Sequence, residues 1–173
     1  MATDAAPRRY LLGIDPGLNI TGYGVLEVAN GAARLAEAGV VRGRSGGSME
    51  ERLQDIFTGV NEVIAAFRPE SMAIEQLYSH YERPRTAILM GHARGVICLA
   101  AALAAVPLSH YAATHVKRLL TGAGHAPKSQ IQQAIQRELK LRDVPDPPDV
   151  ADALAVALCH FHETRNHDHA HQR

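Results

Sequence analysis

Two apolar runs that each end in an acid constrain this chain more than any other feature. Tyr10-Leu11-Leu12-Gly13-Ile14 leads into Asp15, and Met72-Ala73-Ile74 leads into Glu75. Short apolar runs without alternation are what strands covered on both faces of a sheet require. An ionised carboxylate at or near the end of such a strand is costly unless a positive charge answers it. Asp149 and Asp152 raise the same question. They stand three residues apart at the start of an apolar helical stretch and share one face. Brought together, each like-charged pair at ~4 Å costs about 4 kcal/mol at an effective dielectric of ~20. Divalent cations with oxygen ligands turn that repulsion into binding. The sequence therefore predicts a metal-dependent site built from Asp15, Glu75, Asp149 and Asp152.

The rest of the pattern supplies a frame for these acids. Ile20 to Val28 and Ala32 to Arg42 read as strands joined at Asn30-Gly31, a dipeptide whose positions both tolerate positive φ and which marks a tight hairpin. The chain thus opens as a three-stranded antiparallel meander, followed by the glycine- and serine-rich stretch 43–47. Ser48 and Glu51 form a capping box, and Met49, Leu53, Ile56, Val60, Ile64 and Phe67 repeat with helical period up to Arg68-Pro69. A strand over Ser71–Leu77, a polar loop, an alanine-rich helix over Arg85–Ala105 and a strand over Pro107–Ala112 come next. Helices follow over Thr114–Leu120, Lys128–Leu141 and from about Asp149 to His162. This order predicts an α/β sandwich with a mixed sheet of about five strands. One domain is expected over residues 1–163, with the polar, histidine-rich residues 164–173 as a disordered tail.

A length of 173 residues suits one domain with a proper core. Cys98 and Cys159 lie in apolar helical runs without a pairing pattern, which predicts free thiols in a reducing compartment. Residues 1–9 lack the apolar core of a signal peptide, and the longest apolar run, 95–106, is too short to span a bilayer. A cytoplasmic protein with no membrane partner is expected. The formal net charge of zero conceals a segregation. From His80 to Arg142 there are nine Lys and Arg against two acids, whereas the preceding segment has seven against ten and the following one two against six. A basic middle beside acidic flanks suits a protein that holds a polyanion next to a metal site.

Taken singly, each acidic motif has a plain reading. Gly13-Ile14-Asp15-Pro16-Gly17 can be a strand closing in an ordinary turn, or a phosphate loop like those of sugar kinases and chaperone ATPases. Glu75 can reach solvent at a sheet edge, and Asp149 can cap its helix. Asp152 lies further in and is harder to explain this way. Together, GIDPG with TGYGV, AIEQ, and the Asp-x-x-Asp-Ala-Leu-Ala of the last helix resemble the RuvC family of bacterial Holliday-junction resolvases. The stretches Gly91–Val96, Ala113–Lys117 and Lys128–Gln130 match as well, so the resemblance runs from Tyr10 to about His162.

That resemblance implies a ribonuclease-H-like three-layer sandwich acting as a homodimer on four-way junction DNA, in association with the RuvA–RuvB branch-migration complex. It implies Asp15, Glu75, Asp149 and Asp152 as catalytic ligands of two Mg²⁺ ions, with Mn²⁺ as a substitute. Paired symmetric nicks would leave 5′-phosphate and 3′-hydroxyl ends. Lys117 and Lys128 match positions that contact DNA near the scissile phosphate, and Tyr78 falls where the family often has a stacking phenylalanine. Arg83 and Arg85, in the loop beyond Glu75, are further expected DNA contacts. Two other classes compete. An actin-like ATPase would need a second copy of the domain, and a binding module without catalysis would leave four acids facing phosphate to no purpose. The histidines at 160, 162, 167, 169 and 171 are read as incidental, with His160 and His162 suited to a helix C-terminus.

Overall fold

The computed structural model describes residues 8–77 and 84–170. Three strands open the chain, β1 (Arg9–Asp15), β2 (Ile20–Ala29) and β3 (Ala32–Arg42), each antiparallel to the next. The hairpin between β2 and β3 turns at Asn30 and Gly31, with φ of 52° and 73°, as that dipeptide requires. Helix α1 (Met49–Phe67) begins at Ser48, whose side chain accepts from the Glu51 amide while the Glu51 carboxylate accepts from the Ser48 amide. It ends where Arg68 turns left-handed, at φ 47°, ahead of Pro69. There follow β4 (Ser71–Glu75), α2 (Pro84–Leu103), β5 (Leu108–Tyr111), α3 (Ala113–Thr121), α4 (Lys128–Glu138) and α5 (Pro148–Ala170).

The sheet has the order β3-β2-β1-β4-β5, with β4 parallel to both β1 and β5. It is the mixed five-stranded sheet expected, and two helical layers cover it. Leu12, Ile14, Met72 and Ile74 pack with α1 and α2 on one face, whereas Leu11 and Ala73 pack with α3, α4 and α5 on the other. This division follows strand parity, since successive side chains point to opposite faces. Asp15 and Glu75 share the parity of Leu11 and Ala73, so both are directed to the α5 side.

Three features depart from the sequence reading. Helix α5 continues to Ala170, past the expected end at His162 and into the stretch 164–173 expected to be disordered. The extension has local causes: the Thr164 hydroxyl donates to the carbonyls of His160 and Phe161, and the Arg165 guanidinium lies 5.3 Å from the Phe161 ring centroid. His160 is not at a helix C-terminus but inside α5 and buried. Its Nε2 pairs with Ser71 Oγ at 2.7 Å and its Nδ1 with Tyr111 Oη at 2.8 Å, which ties α5 to β4 and β5. Burial lowers the pKa of this ring and favours its neutral form. Finally, α2 is long and apolar enough, by length and composition, to cross a membrane, although the run 95–106 read as too short. Its Ala93, Ile97, Ala100 and Ala101 are buried against the α1 side of the core, while Ile88, Leu99 and Leu103 are exposed.

Candidate active site

Parallel pairing aligns Ile14 with Ile74, so Asp15 and Glu75 end neighbouring strands, which lie ~4.8 Å apart in a sheet. The first turn of α5 crosses the sheet at this end. Gly22, the β2 partner of Asp15, faces the backbone of Asp149, and a Cβ there would stand 2.1 Å from the Asp149 carbonyl oxygen. Only glycine admits the helix so close. Asp152 follows one turn on, directed to the same end.

The four acids lie within electrostatic reach of one another. The Asp15 carboxyl is pushed up to about 8, first by burial, then by the negative charges of Asp152, Glu75 and Asp149, with Lys128 opposing. Glu75 is also raised by burial and by Asp152, while Lys117 and Lys128 pull it down. Lys128 opens α4, and its Nζ stands 3.3 Å from Asp152 Oδ2. Lys128 thus touches Asp152 from α4, while Lys117 of α3 acts on Glu75 through its charge.

Among the described residues, no three Asp, Glu, His or Cys side chains stand close enough to enclose an ion as they are. Lys128 is paired with Asp152 instead. The backbone brings Asp15, Glu75 and the first turn of α5 to one end of the sheet. An all-oxygen donor set of this kind fits a hard cation such as Mg²⁺, not a soft metal.

Two expected contacts, Tyr78 and Arg83, lie outside the described residues, as do His80 and Tyr81. Arg85 is exposed in the first turn of α2 and makes no hydrogen bond or ion pair among the described residues. The sequence reading assigned no role to Arg94, yet its Nε donates to the Glu75 carbonyl oxygen at 3.2 Å and its guanidinium meets His110 Nδ1. Arg94 thereby fixes the end of β4 to α2. Its signal in the sequence is weak, an arginine in a helix that also holds Arg85, with a main-chain acceptor that no residue type marks.

Residues 11–160 match the family model described as Crossover junction endodeoxyribonuclease RuvC. A Rhodopirellula baltica protein of that name is 56% identical over 156 residues, covering 90% of this chain and 88% of its own length. Its Moorella thermoacetica namesake is 44% identical, covering 87% and 89%. The structure of T. thermophilus RuvC in complex with a Holliday junction substrate superposes with a TM-score of 0.84 at 36% identity, covering 91% of this chain and 95% of that one. The yeast mitochondrial resolvase Ydc2, at 13% identity and a TM-score of 0.60, shares the fold.

Proposed function

The chain belongs to the RuvC family, and from that premise we propose that it is a metal-dependent endonuclease that resolves four-way DNA junctions in recombination and repair. The observation that carries this reading is the convergence at one sheet end of Asp15 and Glu75, from adjacent strands, with the first turn of α5 that bears Asp149 and Asp152, packed on Gly22. A module that only bound DNA would gain nothing from four acids beside phosphate. An ATPase reading finds no support in the relatives, which are named as junction nucleases.

Phosphodiesters are anionic and resist attack by water, so charge compensation at the phosphate is the chief requirement. Asp15, Glu75, Asp149 and Asp152 would hold two Mg²⁺ ions, with Mn²⁺ as a substitute. When bound, such ions make water a better nucleophile and stabilise the leaving oxygen. Lys128, beside Asp152, offsets the negative charge that gathers on the phosphorus centre, and Lys117 holds DNA next to Glu75. The oxygen of water bonds to phosphorus, the bond from phosphorus to the 3′ oxygen breaks, and that oxygen takes up a proton. The ends are a 5′-phosphate and a 3′-hydroxyl. Tyr78, Arg83 and Arg85 extend the DNA contact from the far side of Glu75, Tyr78 by stacking on a base.

The functional unit is a homodimer, which sets two such sites on opposing strands of a symmetric junction. Supporting this, Ile88, Leu99 and Leu103 form one exposed apolar stripe on α2, while the opposite side of the helix is buried. The double variant Leu99→Glu/Leu103→Glu should halve the particle mass seen by light scattering and abolish paired nicking. An unchanged mass would remove α2 from the interface. Family membership supports a cytoplasmic location and association with the RuvA–RuvB complex.

The decisive assay is incision of a synthetic four-way junction in Mg²⁺, with linear duplex and ATP as comparison substrates. Symmetric, ligatable nicks in the junction alone are the expected products. Binding in EDTA without incision in Mg²⁺ would return the chain to the class of binding modules.

A further inference from the structure

A groove lies between the start of β2, the end of β3 and one side of α1, lined by Asn19, Arg42, Arg44, Arg52, Asp55 and Glu62 among others. It opens at the end of the sheet that carries the acids. Ile20 pairs with Arg42 there, two residues beyond the Gly22 that pairs with Asp15. Two strand spacings and two residues place Arg42 about 12 Å from Asp15. The groove is also tied to the loop that follows Asp15, because Arg52 Nη1 donates to Asn19 Oδ1 at 2.9 Å and the Gly43 amide donates to the Asn19 carbonyl.

Its three guanidiniums are not equivalent. Arg44 is committed: its Nη2 and Nε donate to Asp55 at 2.9 and 3.1 Å, and its Nη1 reaches Glu51 at 3.3 Å. These contacts consume Asp55, whose carboxyl is held below its ordinary range by Arg44. Arg42 and Arg52, in contrast, pair with no carboxylate among the described residues, and the buried Nε of Arg52 has no hydrogen-bond partner there. The remaining acid, Glu62, lies ten residues along α1 from Arg52, a rise of ~15 Å. What is left at the mouth nearest the active site is the exposed Arg42 and an Arg52 held only by the neutral Asn19, two cations with no carboxylate against them, which suit the oxygens of a phosphate.

We propose that Arg42 and Arg52 form a phosphodiester-binding subsite that holds the DNA backbone away from the bond being cut. The inference rests on the nuclease reading above and deepens it. The subsite would grip an arm of the junction and fix which phosphate meets the acids.

The test is junction affinity in EDTA as a function of salt. Each phosphate contact contributes about 0.9 to the slope of log affinity against log salt. Arg42→Gln, at an exposed position, should lower the slope by about 0.9, and Arg42→Gln/Arg52→Gln by about 1.8, while Arg52→Lys retains the parental slope. Arg34→Gln, near the other end of β3, is the control and should change nothing. An unaltered slope in Arg42→Gln overturns the subsite, as does an equal fall in Arg34→Gln, which would mark a diffuse charge effect. If Arg52→Gln lowers thermal stability, Arg42→Gln alone decides. A parent protein that fails to bind the junction would sink the nuclease reading itself, a different result from a parent that binds and variants that match it.

Discussion

Asp15→Asn should reduce junction incision by at least about 10³-fold while leaving junction affinity in EDTA within about twofold of the parent. Asparagine keeps the shape but removes the charge on which ion binding depends. The same substitution should alter the pH dependence of stability, and its sign follows from the raised carboxyl. In the folded chain Asp15 keeps its proton up to about 8, whereas the unfolded chain releases it near 3.8. Between these values the native state binds more protons, so stability falls as pH rises, by up to about 1.4 kcal/mol per pH unit. Thermal melts in EDTA at pH 5 and pH 8 should show this decline in the parent and a flatter profile in Asp15→Asn, which should melt higher at pH 8. Mg²⁺ should restore the parent at pH 8, because the cation takes the place of the proton. Parental incision by the variant, or loss of affinity together with incision, would refute the role assigned to Asp15.

Gly22→Ala is expected to cost about 10²-fold in incision or more. The added methyl would meet the carbonyl oxygen and carbon of Asp149 at 2.1 and 2.5 Å. Both are backbone atoms, so the first turn of α5 must retreat and carry its two acids with it. Displacements of ~1 Å at a reacting centre are enough for losses of this size. Affinity in EDTA should persist, while stabilisation by Mg²⁺ should shrink, since the ligands no longer converge. Melting curves with and without Mg²⁺ separate this outcome from global unfolding. Parental Mg²⁺ stabilisation in the variant would show that α5 can shift without harm.

Much of this arrangement was legible in the residues. The hairpin at Asn30-Gly31, the capping box at Ser48 and the Arg68-Pro69 stop are local chemistry, and local chemistry is what a sequence states directly. The four acids could be singled out because each sits where packing alone gives it little reason to be. Their meeting was not legible in the same way, because it depends on β4 inserting beside β1 through a helical crossover, a long-range choice of strand order. His160 was misread for a similar reason. A histidine near the end of an apolar run looks like a C-terminal residue until Ser71 and Tyr111, 89 and 49 residues away, supply partners for both nitrogens. Arg94 was passed over because its acceptor is a backbone carbonyl, and carbonyls leave no mark in a sequence.

The anchorage of α5 by His160 bears on how the site is loaded. The buried imidazole is fastened to two strands eleven residues beyond Asp149, or ~16 Å along the helix axis. A rod clamped there and pressed against Gly22 has little freedom to swing, so arriving ions need not remodel the main chain. On the proposed reading, what they would ask of the protein is the freezing of four short acidic side chains, on the order of 1 kcal/mol each. Filling such a centre would then be a matter of rotamers, with the scaffold beneath held still.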